Sequence, residues 1–284
     1  MRLTVVSGLS GAGKSVALGV LEDCGCYVVD NLPATYLAAV VADLGASGHA
    51  EVAVSVDARS AALPALGENL DALRAQGIDC RVLFLQAGDD TLLRRYAETR
   101  RRHPLTGTRT LAEAIAEERL MLEHVARLGH RIDTSGLAAR QLRNWVRAFA
   151  ESSPLARTLL FESFGYAHGI PLDADWVIDA RMLPNPHYDT ALRPLTGLDA
   201  PVVAFLDAEA TVQRFRDDVR AFLERWLPDV ERDNRSYLTV AIGCTGGRHR
   251  SVYLAERLAE AFRGRWNVLV RHRGLIATDA VIAP

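Results

Sequence analysis

From residue 1 to about residue 152, short β-rich apolar runs alternate with longer stretches whose apolar positions recur at helical spacing. The runs "RLTVVSG", "CYVVD" (26–30), "EVAVSVD" (51–57), "CRVLFLQ" (80–86) and "HRIDTSG" predict strands. Between and after them the pattern predicts helices from Lys14 to about Asp23, Pro33 to about Leu44, Pro64 to Gln76, Asp90 to Arg101, Leu111 to Leu128 and Ala138 to Phe149. Strict alternation of strand and helix predicts a mainly parallel sheet with helices on both faces.

"ESSPLAR" (151–157) reads as a linker into a second, smaller α/β domain. There "TLLFESFG", "DWVIDAR", "YLTVAIGC" and "WNVLVRHR" predict strands. A proline-rich loop leads to a helix over about Ala208 to Trp226, and a further helix covers Ser251 to Phe262. The expected domains are 1–152 and 153–284, with neither internal repeats nor low-complexity tracts. At 284 residues the chain is long enough for two cores.

Composition narrows the function classes. Hydrophobic residues at 49% and charged residues at 24% describe a soluble globular protein, and the net charge of -2 gives no global pull towards polyanions. The lack of a membrane-length apolar run or a leader pattern predicts a cytoplasmic protein without a membrane partner. Four scattered cysteines do not make a disulfide scaffold, and Cys24-Gly25-Cys26 has no complementary pair at zinc spacing. Of the 33 basic residues only Lys14 is lysine; the rest are arginine. A chain that has exchanged every other lysine keeps one only where a guanidinium will not serve.

That lysine lies in Gly8-Leu9-Ser10-Gly11-Ala12-Gly13-Lys14-Ser15, which fits G-x-x-x-x-G-K-[ST] between a predicted strand and a predicted helix. The spacing turns backbone N–H groups around phosphate oxygens at the positive end of a helix, with Lys14 reaching the β- and γ-phosphates and Ser15 offering its hydroxyl to Mg2+. ATP or GTP with Mg2+ is the expected ligand. Asp57, at a strand end, is the favoured second metal carboxylate and catalytic partner of Lys14, and Asp30 competes with it. A helix cap is the plain alternative for either. The segment Arg94–His103 holds Arg94, Arg95, Arg100, Arg101, Arg102 and His103, and three readings stay open: a lid on the γ-phosphate, a solvated face, or a nucleic-acid contact.

The loop "GCTGGRHRS" (243–251) is a second phosphate candidate. Amides of Thr245, Gly246 and Gly247 are placed to form an anion nest before a helix, with Arg250 as a bidentate partner. Cys244 and Arg250 have cysteine-phosphatase spacing, for which Asp189 is a candidate general acid. Gly243 stands where such enzymes usually carry histidine, so binding is favoured over catalysis. His187 in "LPNPHYD" is a further candidate contact.

Together "VSGLSGAGKS", "VVDNLP", "VSVDAR", "RRYAETRRRHPL", "ESFGYAHGIP", "LPNPHYD" and "IGCTGGRHRSVYLAERLA" resemble the RapZ/YvcJ-type nucleotide-binding proteins, some of which are RNase adapters. The resemblance implies a P-loop domain related to small-molecule kinases, with weak ATPase and GTPase activity. It implies a second nucleotide motif at Asp57-Ala58-Arg59-Ser60. It also implies a C-terminal site for glucosamine 6-phosphate at His187, Thr245, Gly246 and Arg250. The function so implied is control of amino-sugar or cell-envelope metabolism. Expected partners are a nucleoside triphosphate, a phosphorylated amino sugar, a regulatory protein and further copies of the chain. RNA is the partner of the adapter members, whose tails are basic, whereas nothing basic follows Arg273 here. Ala167 and Gln86 also depart from the family pattern, standing where lysine and an acid are usual. An RNA adapter and a true small-molecule kinase are the two alternatives.

Overall fold

A computed structural model of the chain describes residues 1–60, 62–107, 109–152, 158–232 and 237–275. The chain divides into two compact units, Met1–Leu155 and Ala156–Pro284. Most of the expected linker at 151–157 and the tail beyond residue 275 lie outside the described residues.

The first unit is built on five parallel strands: β1 (Arg2–Gly8), β2 (Tyr27–Val29), β3 (Glu51–Ser55), β4 (Asp79–Gln86) and β5 (His130–Asp133). Their order is β2-β3-β1-β4-β5. The helices α1 (Lys14–Asp23), α2 (Leu37–Ala46), α3 (Leu66–Ala75), α4 (Asp89–Thr99), α5 (Leu111–Ala126) and α6 (Ala139–Glu151) connect and cover them. β1 is central because it is apolar on both faces: Leu3, Val5 and Val6 are fully buried, each worth about 1.5–3 kcal/mol of burial. Strand order reverses at β1, and the crevice beyond the carboxyl ends of such strands is where ligands bind in open parallel sheets.

The second unit holds four parallel strands, β6 (Thr158–Gly165), β7 (Trp176–Asp179), β8 (Tyr237–Cys244) and β9 (Asn267–His272), in the order β7-β8-β6-β9. Three helices accompany them: α7 (Ala200–Ala208), α8 (Ala210–Arg232) and α9 (Arg250–Phe262). Phe161, Ile242, Leu254 and Phe262 share one buried cluster. The stretch expected to be loop as far as residue 208 contains α7. Its proline, Pro201, sits in the first turn, where a missing N–H costs nothing and the fixed φ suits a helix. The predicted helix over 208–226 is α8, which starts after Glu209 adopts an extended conformation and runs on through Pro228 to Arg232.

Candidate functional site

The β1–α1 loop leaves the centre of the first sheet. At Gly8, φ is +136°, and a Cβ there would lie 2.0 Å from the Leu85 carbonyl oxygen, so only glycine lets the loop pass β4. α1 begins at Lys14 with no side chain capping its N-terminus, which leaves the first turn's donors and dipole facing the loop. Lys14 Nζ donates to the Gly8 carbonyl at 2.5 Å. Burial pulls the Lys14 ammonium below its usual range, while Glu118, then Asp57 and Asp30, pull the other way. The ammonium thus lies partly desolvated within the field of three carboxylates.

Asp57 follows β3 and is held by Arg59: Oδ1 accepts from its backbone N–H at 2.9 Å, and Oδ2 from Nε at 2.9 Å and Nη2 at 2.6 Å. Ala58 is buried, and Ser60 Oγ accepts from the Ala34 N–H at 2.8 Å. Asp57-Ala58-Arg59-Ser60 is therefore a turn braced on its own ion pair. Asp30 accepts from the Ser55 hydroxyl, one strand away. Both carboxylates lie close enough to act on Lys14, so the structure brings the two rival aspartates to one place. A Ser15 hydroxyl and one carboxylate suit Mg2+, which keeps several waters and takes its remaining ligands from phosphates. Gln86 is buried at the end of β4, and its Nε2 has no partner among the described residues.

The Arg94–His103 segment divides into three kinds of position. Arg94 is exposed and pairs loosely with Glu98. Arg95 is fixed: Nη1 donates to Gly11 O at 2.9 Å and to Thr134 Oγ1 at 3.0 Å, and Nη2 to Thr134 O at 2.8 Å. Arg100 ends α4 in the left-handed region, with φ +52°. Arg101 and Arg102 are exposed at the edge of a cavity of about 360 Å³, lined also by Gly11, Arg95, Tyr96 and Thr99. His103 is buried. Its Nδ1 accepts from Leu105 N–H at 3.2 Å, which places the ring proton on Nε2, 3.1 Å from Glu118 Oε2. Neither Glu118 nor Thr134 was singled out in the sequence. The available signal for Glu118 was a carboxylate on the buried stripe Ala114, Ile115, Leu122 and Val125 of α5.

In the second unit, β8 runs into the 245–249 loop and then α9, again with no side-chain cap. Thr245 and Gly246 are exposed. Gly247 has φ +73°, and a Cβ would lie 2.6 Å from the Gly165 nitrogen, so the loop packs backbone to backbone against the end of β6. Arg250 is only 3% exposed. Its Nη1 donates to the carbonyls of Arg181 (2.8 Å) and Leu183 (3.0 Å), and its Nη2 to Thr245 Oγ1 (3.3 Å), while Nε is buried without a partner among the described residues. The guanidinium thus pins the 181–183 loop under the nest and presents Thr245. His187 is an exposed residue whose ring centroid lies 6.3 Å from that of His249. His249, which no motif in the sequence marks, is buried with Nε2 unpartnered among the described residues, and burial lowers its pKa. Cys244 is buried with Sγ 3.1 Å from Ser251 Oγ, and Asp189 caps a turn through the Ala191 N–H at 2.8 Å. Neither is posed as nucleophile or acid. Ala167 lies beside the nest, its N–H donating to Thr245 O at 3.2 Å.

The first unit, with its glycine-rich loop on the central strand of a parallel sheet, defines the class: a P-loop nucleotide-binding protein with a second parallel α/β unit attached. Residues 1–153 match the RapZ-like N-terminal domain and residues 157–276 the RapZ C-terminal domain. The chain belongs to the RapZ family. Among its relatives, a nucleotide-binding protein of Methylobacillus flagellatus is 59% identical over 97% of this chain and 99% of its own length. One from Dechloromonas aromatica is 56% identical over 98% and 100%. A solved shikimate kinase from Acinetobacter baumannii is 18% identical, covering 52% of this chain and 91% of its own, with a TM-score of 0.37. No described helix is long and apolar enough to cross a membrane.

Proposed function

We propose that this protein is a cytoplasmic regulatory nucleotide-binding protein that hydrolyses ATP and GTP slowly and senses an amino-sugar phosphate through its second unit. Lys14 binds the β- and γ-phosphates, and Ser15 with Asp57 holds Mg2+, whose charge offsets that of the phosphates. Arg101 and Arg102 lie beside the phosphate loop, which supports the lid reading of their segment. The observation that carries the nucleotide reading is the half-buried Lys14 ammonium over an uncapped helix start, inside a loop of the P-loop pattern. Phosphosugar binding is supported by the uncapped start of α9, where Arg250 and His249 each hold a buried nitrogen without a partner among the described residues.

Calorimetric titration with glucosamine 6-phosphate, in the presence and absence of ATP or GTP, tests both sites and the coupling between them. Reciprocal changes in affinity are expected. A protein that binds neither ligand ends the proposal. Indifference of turnover to sugar and shikimate-like acceptors separates the regulatory reading from that of a small-molecule kinase.

A further inference from the structure

The tip of the phosphate loop is held by a residue far away in sequence. α5 is started by a reciprocal capping box between Thr110 and Glu113, which fixes the rotation of the helix and turns Glu118 towards the β1–α1 loop. Glu118 is 1% exposed. Its two oxygens divide between the two donors of one loop residue: Oε2 accepts from Ser10 N–H at 2.8 Å and Oε1 from Ser10 Oγ at 2.7 Å. Oε2 also accepts from His103 Nε2. The His103 ring lies against Tyr96, with centroids 5.3 Å apart, and Tyr96 in turn faces Gly11, the residue after Ser10. One carboxylate thereby joins the loop tip to the end of the arginine segment. Among the carboxylates acting on Lys14 it exerts the largest pull, ahead of both aspartates that the sequence picks out.

A buried carboxylate is costly unless its acceptor sites are filled, and here three donors fill them. An apolar residue at position 118 would leave a buried amide without a partner and release His103. The carboxylate is close to the expected phosphates, which it repels. Its retention there is explained by what it orients.

We propose that Glu118 is a positioning residue of the nucleotide site, fixing the Ser10 tip of the phosphate loop and, through His103, the Arg101–Arg102 segment as one unit. The proposal rests on the nucleotide reading above. Its geometry demands two acceptor oxygens at 118 and an N–H donor at the His103 Nε2 position.

The test measures ATP and GTP affinity by calorimetry, KM and kcat for hydrolysis, and the melting temperature of the nucleotide-free protein. The variants are Glu118→Gln, His103→Leu, His103→Gln and the double variant Glu118→Gln with His103→Leu. Each of Glu118→Gln and His103→Leu is expected to weaken nucleotide binding about tenfold, the scale of one lost charge-assisted hydrogen bond. The double variant is expected to be no weaker than the poorer single one, because both act through one unit. His103→Gln, whose side-chain amide keeps the donor, should stay within about twofold of the native protein. Losses that multiply, a His103→Gln as damaged as His103→Leu, or a change in melting temperature alone would overturn the proposal. Tighter binding by Glu118→Gln would also overturn it, since the carboxylate would then be competing with the phosphates. If Glu118→Gln does not fold, the two His103 variants decide the matter. A native protein that binds neither ATP nor GTP overturns the nucleotide reading instead, and this proposal with it.

Discussion

The phosphate loop at Gly8–Ser15 and the glycine loop at Cys244–Arg250 share one local architecture. Each leaves the carboxyl end of an inner parallel strand and enters an uncapped helix. The difference lies in where the cation goes. Lys14 folds back onto its own loop, bonding to a residue six positions away, whereas Arg250 is spent mainly on the carbonyls of residues 181 and 183. A compact ammonium on a flexible stem can leave one carbonyl for a phosphate. A planar guanidinium fixed to two carbonyls is part of the scaffold that holds the second loop. The first loop therefore keeps its cation within the loop itself, and the second commits its cation to a neighbouring segment of the fold.

The sharpest way to break that comparison is to remove each cation. Lys14→Ala should lower nucleotide affinity on the order of 100-fold in a calorimetric titration, and Lys14→Arg should restore little of it. Because Lys14 sits desolvated, Lys14→Met is expected to leave the nucleotide-free protein as stable as the native one or more so. Arg250→Ala should do the opposite, costing about 2–3 kcal/mol of stability in urea by leaving two carbonyls unpaired. Equal stability losses at the two positions would erase the distinction.

The glycines give a second contrast, of somewhat smaller effect. Gly8→Ala meets the Leu85 backbone and should cost about 3 kcal/mol or prevent folding. Gly246→Ala meets no atom within 4 Å and should change urea stability by less than about 0.5 kcal/mol. Cys244→Ser should keep most anion affinity, since the thiol is buried and faces the Ser251 hydroxyl. A large loss there would reopen the question of a reactive cysteine.

The smallest effect is on pH dependence. His249 has a folded pKa below its unfolded value of 6.5, through burial. The unfolded chain therefore binds more protons in that window, and stability, complete above pH 6.5, is lost as pH falls towards the folded value. Glu256 is lowered by its hydrogen bond from His272, so its contribution is present above its unfolded value of 4.5 and lost as pH falls further. Urea midpoints of His249→Gln and Glu256→Gln across pH 3–8 should flatten these two windows separately. A His249→Gln profile that parallels the native one would show that His249 is not the titrating group.

Much of the scaffold was legible because it is local. Alternating apolar runs located every described strand within two residues at each end except β5, whose predicted run extends three residues past Asp133 into a turn, and the glycine spacing placed the phosphate loop on β1. The lapse at α7 came from reading Pro201 as a loop residue when its position made it a helix-starting one. The arginine segment could not be resolved from sequence, because equal residue types went to different fates. Arg95 was fixed by Thr134, His103 was buried on Glu118, and Arg101 and Arg102 were left exposed.

The sequence by itself determined the two glycine-rich loops that precede helices, the parallel sheets that carry them and the place of the one lysine in the first of them. These depend on backbone conformation over a few consecutive residues, and residue type sets that conformation. Only the tertiary structure decided which carboxylate reaches the first loop and which way Arg250 points. Ser10 and Glu118 are 108 positions apart, and Arg250 and the Leu183 carbonyl 67. Contacts across such separations come from how α4, α5 and the 181–183 loop pack on their sheets. No local pattern contains that geometry.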